Sequence, residues 1–411
     1  MLASSILLVF IIMMVIAHLS YEHLNLVSPV LLFSLMQVFS LILQIIANFI
    51  WGFEPAYSFK TFSIIYIIIL YSSFFGGTIL AGQYKCPINI KVDERYSIAY
   101  YITAIIGIIG TIISIKNMNI SGNIFLSFIL NFERFDQEFN QSSIGSIMWL
   151  SNIAALFFSN YSKKNKLTKI INIICFINIM FRAAYLYIVL AIFYYFTPKL
   201  LKINGKEVKK VIFKLIPIAL LFFIIPILSY KDINIANGSY VKKIYPYTAG
   251  SFSNLAYYAN DAIDRGQINN KFNIIMRDLG FGQIELYLDK YLGTKLYEPL
   301  IGKGFLQQIK GIDVEGNMSS IYLAGINNNP IIGIIYFIFL GYISKKLMKT
   351  ANYNIFYMSI FAFFSAANFL AFSGGGHFST TRFFPAMIYI WPFIFLYNIL
   401  RLSTKMNLKS K

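Results

Sequence analysis

The sequence predicts an all-α polytopic membrane protein with about 11 transmembrane helices (10–12) and one large extracytoplasmic loop. Three observations predict it. Of the 411 residues, 57% are hydrophobic, 18% aromatic and 13% charged, with a mean hydropathy of +0.64, far from a soluble domain. Apolar runs near twenty residues recur along the chain. The formal charge of +18 comes in short lysine clusters beside those runs, the distribution that fixes orientation in a bilayer rather than one that binds nucleic acid.

Taken in order, residues 2–18 lack a basic region before the apolar run and a small-residue cleavage site after it, and read as a retained span. Residues 28–51, 60–80, 96–115 and 144–160 follow as further spans. Between the last two, residues 119–132 are apolar but reach only about 21 Å as a helix, against a hydrocarbon core of roughly 30 Å. A crossing there would move the Lys85, Lys91 and Arg95 cluster outside. The stretch therefore reads as an interfacial or re-entrant helix capped at Ser121.

Lys169 to Thr197 is interrupted only by Arg182. One long helix would separate the cluster of Lys163, Lys164, Lys166 and Lys169 from that of Lys199, Lys202, Lys206, Lys209 and Lys210. Two short spans, 167–180 and 183–197, keep both inside. Each is only about 20 Å long, which places Arg182 at an apex below the outer surface, facing protein or water rather than lipid. Span 211–229 completes the first part of the chain, residues 1–229, which carries eight spans and a smaller outer loop at 116–143. Residues 230–329 form the large outer loop. Spans 330–345, 354–372 and 383–402 and a basic tail make up 330–411.

Two helices are expected within the long loop. The first, from Ser251 to Gly266, places Phe252, Leu255, Ala256, Ala259 and Ile263 at helical spacing. The second, from Gly282 to Gly293, groups Ile284, Leu288 and Tyr291 on one face.

The polar residues suggest a site at the outer face. Five of seven arginines, Arg134, Arg182, Arg265, Arg277 and Arg382, fall outside or at the outer boundary, against the orientation preference of cations. Guanidinium forks match phosphate oxygens and stay charged at any relevant pH. Pairing with Glu133, Asp136, Asp264 or Asp278 is the alternative for any one of them. Glu133, Asp136 and Asp261 are candidate general bases, with a solvated charged turn as the plainer reading of the first two. His377 lies in a glycine-rich outer turn ahead of Arg382, where backbone approaches a ligand closely. A single histidine without carboxylate or cysteine partners gives no metal site, and the only cysteines are Cys86 and Cys175. No Walker, Rossmann, H-E-x-x-H or C-x-x-C motif occurs, so no cofactor is expected and a substrate must arrive already activated.

This layout resembles the bacterial O-antigen and capsule repeat-unit polymerases of the flippase-and-polymerase pathway. The span number, the large loop in the C-terminal half, the smaller one before it and the outer arginines carry the resemblance. So do Asn131 to Phe135 (NFERF), Phe181-Arg182, the Arg134 and Gly145 spacing, and Asn317 to Gly341, where an Asn and a Tyr precede a glycine-punctuated span.

The resemblance implies a glycosyltransferase of the bacterial inner membrane. Such an enzyme moves a glycan from undecaprenyl diphosphate to the next lipid-linked repeat unit at the outer face, in concert with a flippase and a chain-length regulator. Arg134, Arg182, Arg265 and Arg382 would bind the departing diphosphate, and Tyr247, Tyr258, Asn317, Tyr322 and His377 would contact sugars. For the tyrosines, packing of the loop onto the membrane surface is an equal explanation. Two other functions fit the layout less well. An O-antigen ligase has a histidine-bearing outer loop, matched here only by His377. A lipid-linked oligosaccharide flippase or other transporter calls for charges along many spans, which these spans lack.

Overall fold

The computed structural model describes residues 2–21, 25–52, 59–84, 94–116, 143–181, 185–202, 255–256, 292–293, 307–309, 312–316, 322, 330–351, 353–371, 389–396 and 398. Its helices, in chain order, are α1 (Leu2–Tyr21), α2 (Pro29–Trp51), α3 (Thr61–Leu80), α4 (Glu94–Lys116), α5 (Ser143–Trp149), α6 (Ser151–Phe158), α7 (Lys166–Phe181), α8 (Tyr185–Leu200), α9 (Pro330–Ala351) and α10 (Ile355–Leu370). A short antiparallel ribbon, β1 (Gln307–Ile309) and β2 (Ile312–Gly316), lies within residues 230–329, expected as the large loop. The sequence reading, all-α, had no strand there. Among the described residues five helices, α1 to α4 and α9, are long and apolar enough to cross a membrane, and three shorter apolar ones accompany them. The chain is a helical, multi-pass membrane protein. The expected span 211–229 and the interfacial helix at 119–132 lie outside the described residues.

The contacts divide the chain into two compact units. The first comprises Met1–Lys85, Asp232–Met348 and Ala367–Thr381. Here α1 buries Ser4, Leu7, Ile11 and His18 along one face while Ile6, Val9, Met13 and Ile16 point outward, as a lipid-bathed helix does. It runs antiparallel to α2, tied at one end by Ser4 Oγ donating to Gln44 Oε1 at 3.0 Å and at the other by a His18 Nε2 to Ser28 Oγ bond of 2.7 Å. Proline at its start and Gly52 at φ 65° after its end bound α2. Helix α3 packs on α2 through a Phe33–Phe74 stack with centroids 4.2 Å apart.

Helices α3 and α9 run parallel in direct backbone contact. A methyl group on Gly77 would overlap the carbonyl oxygen of Ile338, and one on Gly341 would overlap that of Phe74. Small residues at such crossings let membrane helices approach closely. At the start of α9, Tyr66 Oη donates to the Pro330 carbonyl at 3.1 Å, and near its end Asn368 Nδ2 donates to Ser344 Oγ at 3.1 Å. The helix expected from Ser251 to Gly266 is described only at Leu255 and Ala256, which are helical and buried. Gly293, where the second loop helix was expected to stop, has φ +67° after helical Leu292.

The second unit comprises Cys86–Lys231, Lys349–Ala366 and Arg382–Lys411. Residues 144–160, expected as one span, form two helices instead, α5 and α6, meeting at Leu150. The cause is Asn152. Its Nδ2 donates to the Trp149 carbonyl at 2.8 Å, the oxygen a continuous helix would offer to the Ile153 N–H. That N–H turns to Leu150 at 3.0 Å, and the Leu150 N–H reaches back to Ile147 at 3.2 Å, so the helix tightens to three-residue bonds there. Helix α4 accepts the break at Gly107 and Gly110, where a side chain would collide with Asn152 and Trp149.

The Lys169–Thr197 stretch forms two antiparallel helices, α7 and α8, rather than one. Tyr195 meets Phe176 edge-on at 5.3 Å and bonds Asn172. Asn165 caps α7, its Oδ1 accepting from the Thr168 N–H at 2.7 Å.

Candidate functional site

Two places gather buried polar groups. In the first unit this is the surroundings of Tyr322, the sugar-contact candidate that precedes α9. Its side chain is fully buried. The ring stacks on Phe337 with centroids 5.4 Å apart and planes 5° from parallel, and meets Phe33 edge-on at 6.0 Å. Its Oη donates to Gln37 Oε1 at 2.9 Å, while Gln37 Nε2 donates to the Phe33 carbonyl at 2.8 Å. Phe337 comes seven residues after Pro330, so Tyr322 stands about 10 Å down the axis of α9 rather than at its first turn. The chain just before α9 is thereby anchored inside the bundle.

Sequence reasoning missed Gln37. The signal was present, because Ser34, Gln37, Ser40 and Gln44 place polar groups along one face of an otherwise apolar span. All four are buried. Ser34 Oγ bonds Tyr71 Oη, so this face holds α3 as well as Tyr322.

In the second unit the polar centre is Asn152, Asn178 and Trp149. Asn152 Nδ2 also donates to the Gly107 carbonyl at 3.0 Å, and Asn178 Nδ2 donates to Asn152 Oδ1 at 3.2 Å. Trp149 Nε1 donates to the Asn178 carbonyl at 2.7 Å, one of the last four carbonyls of α7 that have no partner within the helix. Tyr187, one turn into α8, meets the Trp149 indole edge-on at 5.2 Å. The last turn of α7 is thus linked through Trp149 and Asn152 to α4. Asn178 stands level with Trp149 and Gly110, three residues before α7 ends and six before α4 ends.

Arg182 belongs to the three residues joining those helices and lies outside the described residues, as do Glu133, Arg134, Asp136, Tyr247, Tyr258, Asp261, Arg265, Asn317, His377 and Arg382. Among the described residues no group of three histidine, cysteine or acidic side chains gathers at a metal-binding distance. The geometry supplies an aromatic and amide-lined interior in one unit and a short, locked hairpin in the other. No protein-family model, curated protein or solved structure matches the chain.

Proposed function

We propose that the chain polymerises lipid-linked oligosaccharide repeat units at the outer face of the bacterial inner membrane. In this reading it has about eleven spans, and residues 230–329 form a large outer loop. The glycan bound to undecaprenyl diphosphate is attacked at its anomeric carbon by a hydroxyl of the next repeat unit. A carboxylate among Glu133, Asp136 and Asp261 takes the hydroxyl proton, and arginines including Arg134, Arg182, Arg265 and Arg382 stabilise the diphosphate as the bond to the sugar breaks.

The observation that carries the reading is the α7–α8 hairpin. Each of its helices has 16 residues, about 24 Å, against a core of roughly 30 Å. Trp149 and Asn152 tie the last turn of α7 into the bundle, which supports a cation at position 182 recessed within it. A charge placed there is costly in lipid and is kept where it serves a ligand. Trp149 and Asn178 supply the rigid support that such a residue needs to meet a diphosphate in one geometry.

The test is an assay of purified protein with lipid-diphosphate-linked repeat units, comparing wild type with Arg182→Ala. Wild type is expected to give longer glycans and the variant at least about a hundredfold fewer, the cost of removing a donor to developing charge. Undiminished polymerisation in the variant removes Arg182 from the site. Transfer of finished polymer to a separate acceptor, without lengthening, identifies a ligase. Movement of lipid-linked units between leaflets without bond formation identifies a transporter.

A further inference from the structure

The end of the α7–α8 hairpin away from its turn gathers cations. Lys164 lies in the connection 159–165, Lys199 in the last turn of α8 and Lys202 just beyond it, with Lys164 in electrostatic reach of both. They are held in place. The Lys163 N–H donates to Ser97 Oγ at 3.1 Å, Thr168 Oγ1 donates to the Lys163 carbonyl at 3.0 Å, and Asn165 caps α7. Lys199 Nζ rests 3.1 Å from the Tyr195 ring centroid and 5.4 Å from that of Phe196. Burial, and then repulsion from Lys164, brings the Lys199 ammonium down to about 7 and also lowers Lys202. Gathering like charges this way is unfavourable unless an anion joins them.

A second feature points to what the anion is attached to. Helix α7 leaves Ile170, Ile173, Ile174 and Ile177 exposed at a helical spacing of three and four, a continuous apolar stripe starting beside the lysines. A free ion has no use for such a stripe. An acyl chain does.

We propose that Lys164, Lys199 and Lys202 bind the phosphate of an anionic phospholipid whose acyl chain runs along the isoleucine stripe of α7. The site is independent of the polymerase reading, because it lies at the opposite end of the hairpin from Arg182.

Native mass spectrometry of the full chain in neutral detergent, titrated with phosphatidylglycerol or phosphatidylcholine, tests it. Lys164→Gln, Lys199→Gln and Lys202→Gln together are expected to weaken phosphatidylglycerol binding roughly 10- to 100-fold. A control set removing as much charge elsewhere, Lys116→Gln, Lys346→Gln and Lys349→Gln, should leave it within about twofold. Arginine at the first three positions should retain binding, which separates lost charge from lost folding if the glutamine set elutes as aggregate. Equal weakening by both glutamine sets, phosphatidylcholine bound as tightly as phosphatidylglycerol, or displacement of the lipid by millimolar inorganic phosphate would overturn the proposal.

Discussion

A polar side chain enclosed in an apolar bundle must find a partner or cost more than it contributes. The Tyr322 hydroxyl and the Gln37 carbonyl oxygen pair with one another inside the bundle. Tyr322→Phe should therefore cost about 1–3 kcal/mol, toward the low end because membrane hydrogen bonds measured by double-mutant cycles are weak. Gln37→Leu should cost a similar amount. Combining them replaces both partners by apolar groups, so thermal unfolding in detergent should show the double variant less destabilised than the sum of the singles. Strict additivity would mean that the bond contributes nothing.

Lys199 gives a residue-scale prediction with a definite sign. Its folded-state value, about 7, lies below the usual lysine range, so the folded protein holds this proton less tightly than the unfolded chain does. The resulting penalty is fully present below about pH 7 and fades as pH rises toward the ordinary lysine value of about 10.4. Among the described groups, Lys164 repels the Lys199 ammonium and the Tyr195 and Phe196 rings lie against it. Near neutrality its amine is therefore more reactive than that of an ordinary lysine. Acetylation mapped by mass spectrometry should modify Lys199 faster than its half-burial suggests, and phosphatidylglycerol should slow the reaction by restoring the charge. A rate unaffected by the lipid would show that the phosphate does not reach this ammonium.

At the scale of elements, the α3–α9 crossing depends on two hydrogen atoms. Gly77→Ala places a methyl against the Ile338 carbonyl oxygen, and since backbone cannot yield as a flexible side chain does, the helices must part. A loss of about 1–3 kcal/mol is expected, the usual cost of overpacking. Gly76→Ala, one residue earlier, meets nothing within 4 Å and should be neutral or slightly stabilising. Equal thermal midpoints for the two variants would dismiss the close contact. The same elements show what a sequence can and cannot disclose. The two short helices around Arg182 were legible because lysines at both ends of one apolar stretch cannot lie on opposite sides of a bilayer without opposing the orientation rule. The interruption at Leu150 was not legible. Periodicity sees only the apolar run, while the break arises from one asparagine amide competing for one carbonyl, and its room is provided by glycines some forty residues away on α4. Tyr322 was legible as a residue of interest but not as a buried one, because its partner Gln37 lies 285 residues distant.

At the scale of the molecule, the polymerase reading requires the arginines and the long loop to share one side of the membrane and the lysine clusters to lie on the other. Parallel α3 and α9 set up a direct test. Their first residues, Thr61 and Pro330, lie at one end of the first unit, and their last turns at the other. The loop that precedes α9 and the connection between α2 and α3 must therefore emerge on the same side. Cys86→Ser leaves Cys175, which is buried and unreactive toward reagents in water. In that background Tyr57→Cys and Asn270→Cys should both react with a membrane-impermeant maleimide applied to the outer face of the inner membrane, while Lys164→Cys should react only after permeabilisation. Reaction of Tyr57→Cys and Asn270→Cys from opposite sides would contradict the parallel packing of α3 and α9. Reaction of both only from the inside would preserve the fold and remove the function, since a diphosphate presented at the outer face would then have no arginines to meet it.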